Sequence, residues 1–115
     1  MNTRAKGRMA EEIAAEFLAA KGMKILERNC VLASVEVDII AKDGDCVVFA
    51  EVKSARRPGT FAPAEAVTPE KCRRYVRAAN CYLQKRRLYD VPVRFDVLEV
   101  VCDEVISHIE GAFTA

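Results

Sequence analysis

The sequence lacks the features that mark several large classes of protein. Its 115 residues include no tryptophan, one histidine, five glycines and four prolines. It has no glycine-rich phosphate loop, no internal repeat and no low-complexity tract, which argues against P-loop nucleotide hydrolysis and solenoid folds. No apolar run is as long as a signal sequence or a membrane-spanning helix, so we expect a cytoplasmic protein that does not contact membranes.

The cysteines and the histidine do not form the pattern of a metal or catalytic site. The five cysteines are odd in number and include no CxxC pair. We therefore expect free thiols in a reducing compartment, and no zinc site. The single histidine, His108, has no cysteine or serine partner in a recognisable motif, which argues against a nucleophilic triad.

Charge is present but unevenly distributed. The net charge is only +1, yet between Lys53 and Arg87 ten basic residues are opposed only by Glu65 and Glu70. Such a segment attracts polyanions whatever the total charge of the chain. With 51% apolar residues, the chain is long enough to bury one core, which predicts a single domain over residues 1–115.

Hydrophobic periodicity predicts an α/β domain. The predicted helices cover residues 6–21 and 69–85, and the predicted strands cover residues 23–32, 35–41, 46–53, 93–101 and 105–109. Thr68 and Pro69 are typical of a helix start, and an Asp103-Glu104 turn precedes the last strand. We expect an antiparallel sheet that continues through a helical crossover, with Asp96 pairing to Arg94 or to a helix arginine.

Two apolar runs flank an Asp-Gly step and predict a β-hairpin from Val35 to Lys53. With Asp43-Gly44 at the centre of the turn, Glu36 faces Glu51. Strand alternation then places the charged residues on one face, namely Glu36, Asp38, Glu51 and Lys53. It places the apolar residues on the other, namely Val35, Val37, Ile39, Val48, Ala50 and Val52. Like charges that face each other destabilise a sheet, so we expect a divalent cation or the Lys53 ammonium between them.

One set of residues is suited to phosphodiester chemistry. Asp38 is followed, after twelve residues, by Glu51, and Lys53 lies two positions beyond Glu51. Carboxylates on adjacent strands can hold Mg²⁺, which polarises a phosphodiester and helps to generate hydroxide. A lysine two residues after the glutamate can act on the attacking water or on the charge at phosphorus. The alternative is a purely structural ion pair between Glu51 and Lys53.

These motifs resemble the PD-(D/E)xK nuclease superfamily. Within it, the chain is similar to the YraN-type family of uncharacterised bacterial proteins, which looks like archaeal Holliday junction resolvases. The matching positions are Gly7, Ala10-Glu11, Ala14, Glu36-Val37-Asp38, Phe49 to Lys53, Ala66-Val67, Lys71, Arg94 to Val97, His108-Ile109 and Ala112-Phe113. The chain departs from the family at Val35, where glycine is usual, and at Ala55, where arginine is usual.

The resemblance implies a restriction-endonuclease-like αβββαβ core, with a mixed central sheet flanked by helices. It also implies a Mg²⁺-dependent (or Mn²⁺-dependent) endonuclease acting on branched or structured DNA, with a homodimer as one arrangement. By position, Asp38, Glu51 and Glu11 would be catalytic metal ligands and Lys53 the catalytic lysine. Glu36 would join the metal site, although its own role is left open.

The basic residues are the candidates for nucleic-acid binding. They are Arg56, Arg57, Lys71, Arg73, Arg74, Arg77, Lys85, Arg86 and Arg87. The loop predicted over residues 55–68 is either a substrate contact or a solvated connector, and the basic helix either contacts phosphates or is a solvated face. The alternative function is a non-catalytic nucleic-acid-binding or partner-binding module that keeps the nuclease fold.

Overall fold

The computed structural model describes residues 3–55, 57 and 68–113, with side chains from Met9 onward. In this part of the chain, two helices and five strands follow the predicted order. They are α1 (Thr3–Ala20), β1 (Lys24–Leu32), β2 (Val35–Asp43), β3 (Cys46–Ala55), α2 (Pro69–Lys85), β4 (Val93–Val101) and β5 (Glu104–Phe113). Neither helix is long and apolar enough to span a membrane.

Several boundaries differ from the sequence-based prediction. The first helix begins at Thr3, three residues before the predicted start, and β5 runs to Phe113, beyond the predicted end at residue 109. Ala55 belongs to β3, and most of the predicted loop after it lies outside the described residues. The start of α2 is confirmed, because the Thr68 side chain accepts the Lys71 N–H at 3.2 Å.

The strands form one mixed sheet in the order β1-β2-β3-β4-β5. β3 and β4 are parallel, and the other three neighbouring pairs are antiparallel. A parallel pair needs a long crossover, and the chain between β3 and β4 contains α2. The expected antiparallel start and helical crossover are therefore confirmed.

The helices cover opposite faces of the sheet. Ala14 and Leu18 of α1 pack on Ile39 and Leu98, whereas Tyr75 of α2 belongs to a separate cluster. That second cluster contains an aromatic group made by Phe49, Tyr75, Tyr82, Phe95 and Phe113. Alternate residues of the central strands thus fill two cores.

The register of the central hairpin differs from the prediction. Asp43 pairs with Cys46 and Ile40 with Phe49, so the two-residue turn is Gly44-Asp45 and the predicted Asp43-Gly44 centre is wrong by one position. Gly44 has φ +59° at the first turn position, which is the type II′ pattern. The predicted pairing of Glu36 with Glu51 is wrong as well, since the described β2–β3 pairs end at Ile39 and Ala50.

The other two hairpins use turns without glycine. Ala33 and Ser34 have φ values of 51° and 66°, and Cys102 and Asp103 have 50° and 64°. Positive φ at both central residues is the type I′ pattern, which matches the right-handed twist of hairpin strands. The last turn is thus Cys102-Asp103, one residue before the predicted Asp103-Glu104.

β2 changes its inward face at Asp38. Of the apolar residues predicted to share one face, Ile39 packs on the α1 side with Val48 and Ala50, but Val35 and Val37 pack in the α2-side cluster. The prediction that all these residues share one face is therefore wrong for Val35 and Val37. The change follows from the end of regular β2–β3 pairing near Ile39, beyond which β2 is no longer held in the plane of β3.

The predicted pairing of Asp96 with Arg94 is confirmed. The Asp96 carboxylate is 1% exposed and accepts two hydrogen bonds from Arg94, at 2.9 and 3.0 Å. It also accepts the Gly111 N–H at 3.1 Å, and it lies 2.7 Å from Nε2 of His108. This buried network joins β4 to β5 on the side of the sheet where Phe17 of α1 contacts the His108 ring.

Candidate metal centre

The candidate site lies where β2 separates from β3. Beyond the pair Ile39–Ala50, the Asp38 side chain takes the place of a backbone partner, and its Oδ2 accepts the Val52 N–H at 2.8 Å. This hydrogen bond fixes the Asp38 carboxylate between the two strands. The departure from regular pairing is therefore what gives the carboxylates room.

Three carboxylates converge at this point. Oxygen atoms of Glu11, Glu36 and Asp38 all lie within 4.8 Å of one another. Glu11 comes from α1, while the other two come from β2. The pKa of Asp38 is raised to about 7, chiefly by burial and further by the nearby charges of Glu11, Glu51 and Glu36, while the hydrogen bond from Val52 opposes the rise.

Glu51 stands beside this group and is held by two lysines. Its Oε1 lies 2.6 Å from Nζ of Lys71 and 3.3 Å from Nζ of Lys53, and its side chain is 14% exposed. Its other oxygen, Oε2, is buried and has no hydrogen-bond partner in the structure. A buried carboxylate oxygen without a partner is costly, so Glu51 keeps one free coordination position.

Lys53 contacts Glu51 because side chains two positions apart on a strand point to the same face, as the sequence predicts. Burial lowers the pKa of its ammonium, but the side-chain contact with Lys71 and the charge and contact of the Glu51 carboxylate outweigh burial and raise that pKa. Lys53 is therefore a positively charged donor in this state. The alternative of a structural Glu51–Lys53 ion pair accounts for this contact but not for the convergence of Glu11, Glu36 and Asp38 beside it.

The carboxylates open into a cavity of about 170 Å³. Its walls come from β2, β3 and α2, namely Val35, Glu36, Asp38, Glu51, Lys71, Arg74 and Tyr75. Acidic residues of β2 and β3 therefore line one part of the cavity, and basic residues of α2 line another. The carboxylates repel a negatively charged ligand, and a cation between them would reduce that repulsion.

The other predicted basic residues occupy several different positions. Arg73, Arg77, Lys85 and Arg87 are exposed on or just after α2, and Arg57 is exposed beyond β3. Arg74 is exposed and lines the cavity, whereas Arg86 pairs with Glu27 and lies 5.5 Å from the Tyr82 ring centre. Arg56 lies outside the described residues. Lys71 contacts Glu51 directly, so it belongs to the acidic cavity as well as to the helix.

Sequence reasoning did not place Lys71 on Glu51. The available signal is the N-cap at Thr68, which fixes Lys71 in the first turn of α2. It does not reveal which strand that turn faces. The His108–Asp96 contact was missed for the same reason, because it joins residues twelve positions apart on two strands.

The residues fit a hard divalent cation. Glu11, Glu36 and Asp38, with Glu51 beside them, would supply the carboxylate oxygens that Mg²⁺ and Mn²⁺ prefer, and among the described residues no thiol or imidazole lines the cavity. The free Oε2 of Glu51 is the observation that supports this fit. A cation would also offset the repulsion among the clustered carboxylates.

Comparison with known proteins identifies the family. The sequence profile described as "Uncharacterised protein family UPF0102" matches residues 10–100. The chain belongs to the UPF0102 family. This is the YraN-type family predicted from the sequence, and the matched span contains Glu11, the β2 and β3 carboxylates and the whole of α2.

UPF0102 relatives cover most of the chain. A UPF0102 protein of Clostridioides difficile is 41% identical over 114 residues, which is 98% of this chain and 100% of the relative. One of Symbiobacterium thermophilum is 46% identical over 98 residues, 85% of this chain and 83% of the relative. One of Oleidesulfovibrio alaskensis is 46% identical over 99 residues, 86% of this chain, and the chain spans about half of its length (49%).

Proposed function

We propose that the protein is a divalent-metal-dependent endonuclease that hydrolyses phosphodiester bonds in branched or structured DNA. The observation that carries the proposal is the convergence of Glu11, Glu36 and Asp38 next to the Glu51–Lys53 pair. A binding module has no need for a carboxylate cluster that repels phosphate. The order of elements is also the one expected of a restriction-endonuclease-like core.

The acidic residues and the two lysines in and beside the cavity have distinct chemical tasks in this proposal. Asp38 and Glu51, with Glu11 and Glu36, would hold Mg²⁺ or Mn²⁺, which supplies polarisation of the phosphodiester and a more acidic bound water. Lys53, protonated on Glu51, donates toward the charge that develops on the phosphate oxygens. Lys71 exchanges its contact with Glu51 for a phosphate oxygen of the substrate.

DNA would reach the cavity along α2. Arg74 lies at its mouth, and Arg73 and Arg77 stand four positions apart on the same exposed side of the helix. Such cations supply salt-dependent, sequence-independent affinity for phosphates. Recognition of shape instead of sequence is consistent with branched DNA as the substrate.

A cleavage assay tests the proposal directly. Wild-type protein with Mg²⁺ or Mn²⁺ is mixed with duplex, flap and four-way DNA, and Asp38→Asn protein purified in parallel reports contaminating nucleases. Metal-dependent cleavage by the wild type alone supports the proposal. If no substrate is cleaved but DNA is bound, the non-catalytic binding module replaces the endonuclease.

Metal binding provides a second prediction. Glu11→Gln should weaken Mn²⁺ affinity at least roughly tenfold in calorimetry, because it removes a carboxylate of the cluster. Glu12→Gln is the matched control, since Glu12 is the exposed neighbour on α1 and should bind as the wild type does. Because the pKa of Asp38 is about 7, protons compete there, and wild-type affinity should rise between about pH 6 and about pH 8. Equal Mn²⁺ affinities of the Glu11→Gln and Glu12→Gln variants would show that Glu11 does not bind the metal.

The basic face of α2 provides a third prediction. Arg73→Glu/Arg77→Glu should lower DNA affinity and reduce the slope of log K against log salt by up to about 1.8, at about 0.9 per lost contact. Fluorescence anisotropy over a salt series measures both quantities. Arg28→Glu, on the exposed edge of β1, should change neither by a comparable amount. An unchanged slope in the double variant would place the DNA on another surface.

A further inference from the structure

A second cavity lies at the other end of α2. Its volume is about 520 Å³, which falls within the range of small-molecule sites. Arg86 lines it, whereas Lys71 lines the acidic cavity, and fifteen helical positions separate them by about 22 Å. The two cavities are therefore distinct sites.

The walls of this second cavity are held by backbone hydrogen bonds. The segment of residues 88–92 is fixed at one end by Leu88 N–H to the Leu83 carbonyl, at 2.9 Å. It is fixed at the other by Val47 N–H to the Pro92 carbonyl, also at 2.9 Å. A ligand would enter a preformed space and would not have to order this segment, which favours affinity.

Most of the inner surface is apolar. It is formed by Leu26, Val47, Tyr82, Leu88, Val91 and Pro92. These side chains come from β1, β3, α2 and the segment of residues 88–92, so they surround the space on several sides. Such a lining fits a flat, weakly polar ring system.

Two lysines at the rim face each other without a counter-ion. Lys24 of β1 is the direct cross-strand partner of Lys42 of β2, and both line the cavity. Within the described part of the chain neither forms an ion pair, whereas Arg86 is already paired with Glu27. Like charges at directly opposite positions destabilise a sheet, and an anion between the two ammonium groups removes that cost.

Two carboxylates complete the rim. Asp45 and Asp90 line the same cavity, and among the described residues neither is engaged in an ion pair. An ionised carboxylate only accepts hydrogen bonds, so these positions require donors and disfavour a second anionic group. The ligand should therefore carry one anionic end, a flat ring and hydroxyl or amino donors.

We propose that this cavity binds a nucleoside monophosphate, with its phosphate between Lys24 and Lys42 and its base against the apolar lining. The ribose hydroxyls donate to Asp45 and Asp90. The same chemistry is offered by a free nucleotide and by the 5′-phosphorylated end of a nucleic-acid strand. The site is independent of the metal centre, so it stands even if the proposed endonuclease activity fails.

Calorimetry with AMP in EDTA tests the site on the full chain. The wild type should bind AMP, and Lys24→Ala/Lys42→Ala should weaken binding at least tenfold. Lys42→Glu should do the same, whereas Arg28→Glu makes the same charge change on an exposed residue outside the cavity and should leave AMP affinity unchanged. Equal loss in the Lys42→Glu and Arg28→Glu variants would overturn the proposal, because it would indicate non-specific attraction.

A second set of measurements separates shape from charge and identifies the source of the ligand. Val91→Phe should fill the cavity and abolish AMP binding while circular dichroism shows a folded protein. Competition of AMP with a 5′-phosphorylated oligonucleotide, but not with its 5′-hydroxyl form, would assign the site to strand ends. Binding of AMP alone would assign it to free nucleotides. Absence of binding by both AMP and the phosphorylated oligonucleotide would overturn the proposal.

Discussion

Lys53→Ala should reduce single-turnover DNA cleavage by at least roughly 100-fold and change DNA affinity far less. General acid–base and charge-stabilising contributions of one side chain are worth about 10²–10⁴-fold in rate. Lys53 Nζ lies 3.3 Å from Glu51 Oε1, on the same strand face, and would therefore stand beside a phosphate bound to a metal ion that the carboxylates hold. Loss of rate without loss of binding identifies an interaction made mainly in the transition state.

Two companion variants make this measurement decisive. Lys53→Arg should not restore full activity, because the guanidinium is planar and differs in reach from an ammonium. Asp38→Asn, prepared identically, gives the background of contaminating nuclease. Cleavage at the wild-type rate by Lys53→Ala would show that Lys53 takes no part in the reaction.

Asp96→Ala should lower the free energy of unfolding by about 3–5 kcal/mol, the usual cost of breaking a buried ion pair by removing one partner. The Asp96 carboxylate is almost fully buried and is the shared acceptor for Arg94, His108 and Gly111. Its removal leaves the Arg94 guanidinium with the partly exposed Asp43 as its nearest remaining acceptor. Urea unfolding measures the loss.

The control and the pH dependence follow from the position of Asp96. Asp103→Asn alters an exposed aspartate in a left-handed turn that asparagine tolerates, and should leave stability unchanged.

Burial alone would raise the pKa of Asp96, but hydrogen bonds from His108 and Arg94 outweigh it and lower that pKa. The stability contributed by ionised Asp96 is present above its usual pKa of 3.8 and is lost as pH falls through the lowered value. A difference between variant and wild type that grows in acid would contradict this assignment.

The order of the elements and the placement of Glu51 and Lys53 on one strand face could be predicted from the sequence because both depend on short-range periodicity. Alternation along β3 is enough to place Glu51 and Lys53 together, and helix periodicity is enough to find α1 and α2. The antiparallel start and the crossover follow from the order of elements. Local patterns of this kind do not depend on the exact register between strands.

The remaining features depend on register and on contacts between distant segments. The Asp-Gly step predicted a turn centred on Asp43-Gly44, but Gly44 takes the first turn position, and this moves every β2–β3 pair. β2 changes its inward face at Asp38, where its pairing with β3 ends, and no pattern of residues in the sequence predicts that position. The contact of Lys71 with Glu51 depends on where α2 docks, and docking is decided by the packed cluster around Tyr75.

The connectivity of the sheet also bears on how the molecule acquires its structure. β1, β2 and β3 are joined by two-residue turns, whereas the parallel β3–β4 pair forms only after the chain has returned through α2. Contacts between near neighbours in sequence form faster than those that close long loops. The β1–β3 meander, which carries Asp38, Glu51 and Lys53, is therefore expected to assemble early in folding. Glu11 and Lys71 would join it when the two helices dock.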